Sequence, residues 1–205
     1  KGVFVFKNQI FVNKKPILSL NEIHLRGEKN LENVLASVCI CSHFNVTAEN
    51  VRLALSKFTL ASHRMEFVGE IRGVIFVDDS KATNVASTIA CVEAFKDKEI
   101  VLLMGGQGKN IDYADLFSLN FKIKQIVCFG EDGQKIQEVA EKFGYNAVLF
   151  KHFDDAVLFS KEFAGFGDYV LLSPGCASFD EFSNYSERGD RFKSLIFGEL
   201  NESKN

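Results

Sequence analysis

Within seven residues, Asp78-Asp79-Ser80-Lys81-Ala82-Thr83-Asn84, the chain carries two carboxylates, two hydroxyls, one ammonium and one amide. Such a set can hold an anion, move a proton or grip a polar substrate. The preceding Gly73-Val74-Ile75-Phe76-Val77 is apolar and β-branched, as in a strand buried on both faces. After it, Val85 to Phe95 has apolar residues at Val85, Ile89, Val92 and Phe95, a helical spacing. The polar residues therefore fall where a strand's carboxyl end meets a helix N-terminus, the place where α/β sheets collect ligands. The same residues also fit a plain capping loop, with Asp79 or Ser80 as N-cap and the rest solvated.

Two later stretches repeat the arrangement. After the apolar run Ile100 to Leu103 comes Met104-Gly105-Gly106-Gln107-Gly108-Lys109-Asn110. Its glycines permit a sharp turn, and Lys109 is a mobile cation suited to a carboxylate or a single phosphate, or simply an exposed turn lysine. It is not a phosphate P-loop: Leu103 stands where the first Gly is required, and Asn110 where Ser or Thr would bind the metal. Nor is it G-x-G-x-x-G, since Gly106-Gln107-Gly108 is followed by Lys109-Asn110-Ile111. After the run Tyr169 to Leu172 comes Ser173-Pro174-Gly175-Cys176-Ala177-Ser178-Phe179-Asp180-Glu181-Phe182, small and hydroxylic, then a helix. Cys176 has no histidine at motif distance, so a buried small residue is expected rather than a nucleophile. Three strand ends with polar loops, two of them bearing a lysine (Lys81, Lys109), point to a crevice for a small anionic substrate.

The elements that would position these loops alternate. From Met65 onward, strands are expected over 65–71, 73–77, 99–104, 125–130, 146–150 and 168–173. Helices are expected near 84–96, 112–118, 133–143, 154–163 and 187–198. That alternation predicts a doubly wound, Rossmann-like α/β domain with a mostly parallel sheet. Before it, residues 1–25 read as extended hairpin structure, with Lys7-Asn8-Gln9 as a turn. A helix is expected from Val34 to about Phe44, and another from Thr47, as N-cap, to Phe58. The boundary falls near residue 62, giving domains 1–61 and 62–205. Asn30 and Asn33, three apart, would share a helix face and could meet the edge of an adenine, or could merely cap the helix.

The 205 residues carry a net charge of −3, which argues against nucleic-acid binding by charge alone. Apolar residues make up 46% of the chain, enough for a core, but no run is long enough to span a membrane. Five cysteines without a C-x-x-C pair are expected as free thiols in a reducing cytoplasm. His24, His43, His63 and His152 show no metal-ligand spacing.

Asp79-Ser80-Lys81-Ala82-Thr83-Asn84, Gly105-Gly106-Gln107-Gly108-Lys109 and Leu172-Ser173-Pro174-Gly175-Cys176-Ala177-Ser178-Phe179-Asp180-Glu181-Phe182, with Arg188-Gly189 behind, resemble the Mur ligases, and among them the D-glutamate-adding branch. The resemblance covers the whole chain. It implies that residues 1–61 are the end of a central ATPase domain and 62–205 the C-terminal, amino-acid-binding domain. It implies an ATP-dependent amide ligase of peptidoglycan precursor synthesis, cytoplasmic and monomeric, binding no nucleic acid or membrane. Its substrates would be ATP, D-glutamate and UDP-N-acetylmuramoyl-L-alanine, joined through an acyl phosphate. By position, Asn30, Asn33, Arg64 and Asp79 would bind ATP. Thr83, Lys109, Ser178, Phe179 and Tyr185 would bind D-glutamate, and Lys81 and Lys109 would act in catalysis. Mg2+ would accompany ATP, with no metal ligands in this chain. Lys29 stands where the family usually has His, Asp78 where it often has Asn, and Tyr185 where it often has Phe. The P-loop and the UDP-binding domain of the family have no match here, so the chain is expected to be a fragment inactive alone. The alternatives are another Mur or folylpolyglutamate-type ligase, or a non-catalytic nucleotide-binding Rossmann module. The absence of an Asp-Asn-Pro-Arg loop counts against a diaminopimelate-adding relative, and the absence of G-x-G-x-x-G against the Rossmann module.

Overall fold

The computed structural model describes residues 2–23, 25, 27–44, 46–58 and 61–198. The chain divides into two compact units, Lys1–Leu60 and Ala61–Asn205.

In the first unit, β1 (Val3–Phe6), β2 (Gln9–Val12) and β3 (Lys15–Ser19) form an antiparallel sheet in that order. Both connections are tight two-residue turns with positive φ, at Lys7-Asn8 and Asn13-Lys14, which match the twist of the strands they join. Helix α1 (Glu28–Ser42) begins earlier than the apolar periodicity from Val34, because its first turns are half-exposed and carry no stripe. Helix α2 (Ala48–Lys57) starts as expected at Thr47, whose hydroxyl accepts from Asn50 N at 3.2 Å. Ile10, Leu18, Val34, Val38 and Val51 make this unit's core.

The second unit alternates strand and helix: β4 (Glu66–Ile71), β5 (Val74–Asp78), α3 (Val85–Ala94), β6 (Ile100–Gly105), α4 (Ala114–Phe117), β7 (Ile123–Phe129), α5 (Gly133–Lys142), β8 (Ala147–Leu149), α6 (Phe153–Phe163), β9 (Tyr169–Gly175) and α7 (Tyr185–Phe197). The sheet order is β4-β5-β9-β6-β7-β8, with β4 antiparallel and the rest parallel. Side chains alternate across it. Ile100, Leu102 and Met104 meet α3, α4 and α5 on one face. Val101 and Leu103 meet α6 and α7 on the other. β6 and nearly all of β9 are buried on both faces, as befits central parallel strands. The expected helix over 112–118 shortens to the single turn of α4, and α7 starts at Tyr185, before the expected 187. One capping expectation is corrected. Neither Asp79 nor Ser80 caps α3; Asn84 does, accepting from Ser87 N at 2.9 Å. Asp79 and Ser80 are thus left for other duties.

Candidate active site

Because β9 inserts between β5 and β6, the loops that follow these three strands leave the same edge side by side. They are also bonded to one another. Gly175 N donates to Ala82 O at 2.9 Å, and Gln107 and Ala177 exchange a pair of backbone hydrogen bonds. Arg188, on the first turn of α7, completes the joint. It is fully buried, and its five N–H groups reach five oxygens. Nε donates to Ser80 Oγ at 2.9 Å, and Nη2 to Ser80 O and Cys176 O at 2.9 and 3.1 Å. Nη1 donates to Gly105 O and Ala177 O at 3.4 and 3.3 Å. One guanidinium therefore ties all three loops. Burial pulls its pKa down to about 10, so it stays charged.

A second buried network lies beneath the β5 turn. Asp78 Oδ1 accepts from Ser80 N, and Oδ2 lies 2.7 Å from His63 Nδ1. Lys193 Nζ donates to Glu66 Oε2 at 2.8 Å and sits 3.7 Å from Asp78 Oδ2. His63, Glu66 and Asp78 thus cluster in space although no ligand spacing relates them in sequence, but Lys193 already supplies the cation. Among the described residues this is the one such cluster; His24 lies outside them.

Residues 63–176 match the family described as Mur ligase, glutamate ligase domain. The chain belongs to the Mur ligase family. It is 40% identical over 203 residues to the UDP-N-acetylmuramoylalanine–D-glutamate ligase of Acidobacterium capsulatum, covering 96% of this chain and 44% of that one. The protein of the same name from Geobacillus kaustophilus is 35% identical over 197 residues, again 96% of this chain and 44% of the relative. The chain thus spans less than half the length of the curated relatives it matches. Among solved structures, MurF from Acinetobacter baumannii aligns with a TM-score of 0.69 at 16% identity, over 94% of this chain and 44% of that one. MurF from Thermotoga maritima in complex with ADP aligns at 0.61 and 14%, over 96% and 45%. At such identities these two share the fold.

In this Mur ligase chain the residues singled out from sequence fall into distinct settings. Lys109 is exposed on the glycine turn and makes no hydrogen bond or ion pair among the described residues. Lys81 is half-buried, with its ammonium 3.7 Å from the centre of the Tyr185 ring. Thr83 is half-buried, Ser178 buried, and Phe179 projects into solvent at 62% exposure. Arg64 is exposed. Cys176 is buried, 2.9 Å from the Tyr113 hydroxyl, and burial pushes its thiol up to about 11, which fits an inert packing residue. Asn30 and Asn33 line a pocket of about 270 Å³ in the first unit, walled by Leu25, Val34, Ala54, Leu55 and Phe58. Arg188 was not assigned a role from sequence. A signal was present: with Phe192 and Ile196 it lies on one i, i+4 stripe of α7, the face that turns inward.

Asp79 faces inward. Its carboxylate accepts from Ser173 Oγ at 2.9 Å and Met65 N at 3.2 Å. Burial nonetheless lifts its pKa from 3.8 to about 6. The folded chain therefore binds this proton more tightly than the unfolded chain. Ionised Asp79 costs about 3 kcal/mol above pH 6, and the cost disappears below about pH 4. Relative to Asp79→Asn, the unsubstituted chain should gain stability as pH falls from 7 to 4, read from urea midpoints at each pH. A difference that does not change with pH would show that Asp79 ionises equally readily folded and unfolded.

Proposed function

We propose that the chain is the ATP- and amino-acid-binding part of an enzyme that adds D-glutamate to UDP-N-acetylmuramoyl-L-alanine. The observation that carries this reading is the set of three strand-end loops tied together by Arg188, two of which carry Lys81 and Lys109. The activity named for the relatives supports it. The alanyl carboxylate attacks the γ-phosphorus of ATP, releasing ADP and forming an acyl phosphate. The D-glutamate amine then attacks the carbonyl carbon, and phosphate leaves. A carboxylate is a poor electrophile, so the work left to the protein is to hold anionic oxygens and orient the amine.

Lys109 pairs with a carboxylate of D-glutamate, and Thr83, Ser178, Phe179 and Tyr185 complete its pocket. Lys81 faces the oxyanion that develops on the carbonyl or phosphoryl group. The apolar pocket beneath Asn30 and Asn33 suits a flat base with donors and acceptors on its edge, and takes the adenine. Arg64 and Asp79 serve the ribose and phosphates, Asp79 by shaping its turn, since its own oxygens are engaged inside. On this reading residues 1–61 end the ATP-binding domain, and the longer enzyme works in the cytoplasm as a monomer. Mg2+ would accompany ATP, but the His63–Glu66–Asp78 cluster does not fit it, because Lys193 holds the cation's place.

D-Glutamate should shift amide resonances of residues 81–84, 107–110 and 178–185 in this chain. L-Glutamate should not, and Lys109→Ala should abolish the response. No shift at millimolar D-glutamate, both in this chain and in a longer chain loaded with ATP and the muramyl nucleotide, would overturn the assignment.

A further inference from the structure

Lys81 makes no ion pair among the described residues, yet its ammonium is not loose. Its backbone N donates to His63 O at 3.0 Å. The neighbouring Ser80 Oγ donates to Tyr185 O at 2.8 Å and itself accepts from Arg188 Nε. One buried hydroxyl therefore fixes the first residue of α7 against the β5 turn. The Tyr185 ring, steadied edge-on by His63 at 6.1 Å, then lies under the ammonium at 3.7 Å.

We propose that Tyr185 is a positioning residue for Lys81, its ring face holding the ammonium in the crevice with the N–H donors left for a substrate oxyanion. A carboxylate in the same place would also hold the lysine, but it would neutralise the charge and occupy its donors. A π face attracts the cation through its quadrupole and accepts no strong hydrogen bond. The lysine is thus localised without being quenched, as a site that meets negative charge only during reaction requires.

This rests on the oxyanion role given to Lys81 above, and the test separates the two. In this chain, the Lys81 ε-methylene protons should resonate upfield of those of other lysines through the ring current. They should stay there in Tyr185→Phe and lose the shift in Tyr185→Leu. In the longer enzyme, Tyr185→Leu should lower kcat about tenfold, the size of a partly desolvated cation–π contact. Tyr185→Phe should recover most of that loss, with KM for ATP little changed in either variant. In a Lys81→Met background, Tyr185→Leu should lower kcat no further at saturating D-glutamate, any pocket role of the ring showing in KM for D-glutamate instead. Absence of the upfield shift, or a Tyr185→Leu loss that persists in full beside Lys81→Met, overturns the inference and leaves the ligase reading standing. Wild-type turnover by Lys81→Met overturns the role of Lys81, and this inference with it.

Discussion

Arg188→Ala should lower the unfolding free energy of the second unit by about 4 kcal/mol, more than any other single truncation in the crevice. The guanidinium satisfies Ser80 twice, together with Gly105, Cys176 and Ala177, in a place with almost no access to water. Removing it takes a donor from four backbone carbonyls and a hydroxyl; Ala177 O keeps Gln107 N, but the others lie in a place where water cannot replace the lost donor. Arg188→Lys should recover little, because one ammonium with three donors cannot span five oxygens on three loops. The loss should not vary with pH in the ordinary range. With a folded-state pKa of about 10 and an unfolded value of 12.5, both states are charged below about pH 9. Urea unfolding gives the answer. A shifted midpoint at unchanged slope is expected, and a loss below about 1 kcal/mol would show that the three loops hold together without it.

Gly106→Ala should cost about 3 kcal/mol or more and should displace the turn that carries Lys109. The residue sits at φ +119°, where L side chains are strained, and an added Cβ would lie 2.2 Å from Ala177 O and 3.0 Å from Arg188 Nη1. Those are a backbone atom and a clamped side chain, so neither can step aside. Gly144 is the control. It also has positive φ, +84°, but nothing lies within 4 Å of its would-be Cβ. Gly144→Ala should cost only the backbone strain, about 1 kcal/mol. If the two variants unfold at the same urea concentration, the crevice side of the turn is softer than its contacts imply. The same glycine turn should also lose its D-glutamate-induced shifts in Gly106→Ala, since Lys109 rides on it.

The order of strands and helices after Met65, the buried character of β5, β6 and β9, and the polar loops at their carboxyl ends were all legible in the sequence. They depend on local signals: apolar runs, helical periodicity, and glycine or small residues at turns. The three motifs also carried the resemblance to the Mur ligases. What local signals could not carry is the sheet order. Nothing in residues 168–173 says that this last strand inserts between β5 and β6. Long-range pairing decides that, and with it the meeting of the three loops. For the same reason Arg188, which entered the sequence reading only beside Gly189 in the resemblance, had no role until its five partners, four of them backbone oxygens with no side-chain identity, were brought around it. The capping of α3 by Asn84 rather than Asp79 or Ser80 belongs with these, since Asp79 had a buried hydroxyl waiting at Ser173 and Ser80 a guanidinium at Arg188. Sequence periodicity reports which face of an element is apolar. Which distant polar group a buried oxygen will find is decided only when the elements pack, because the cost of leaving it unpaired is incurred only there.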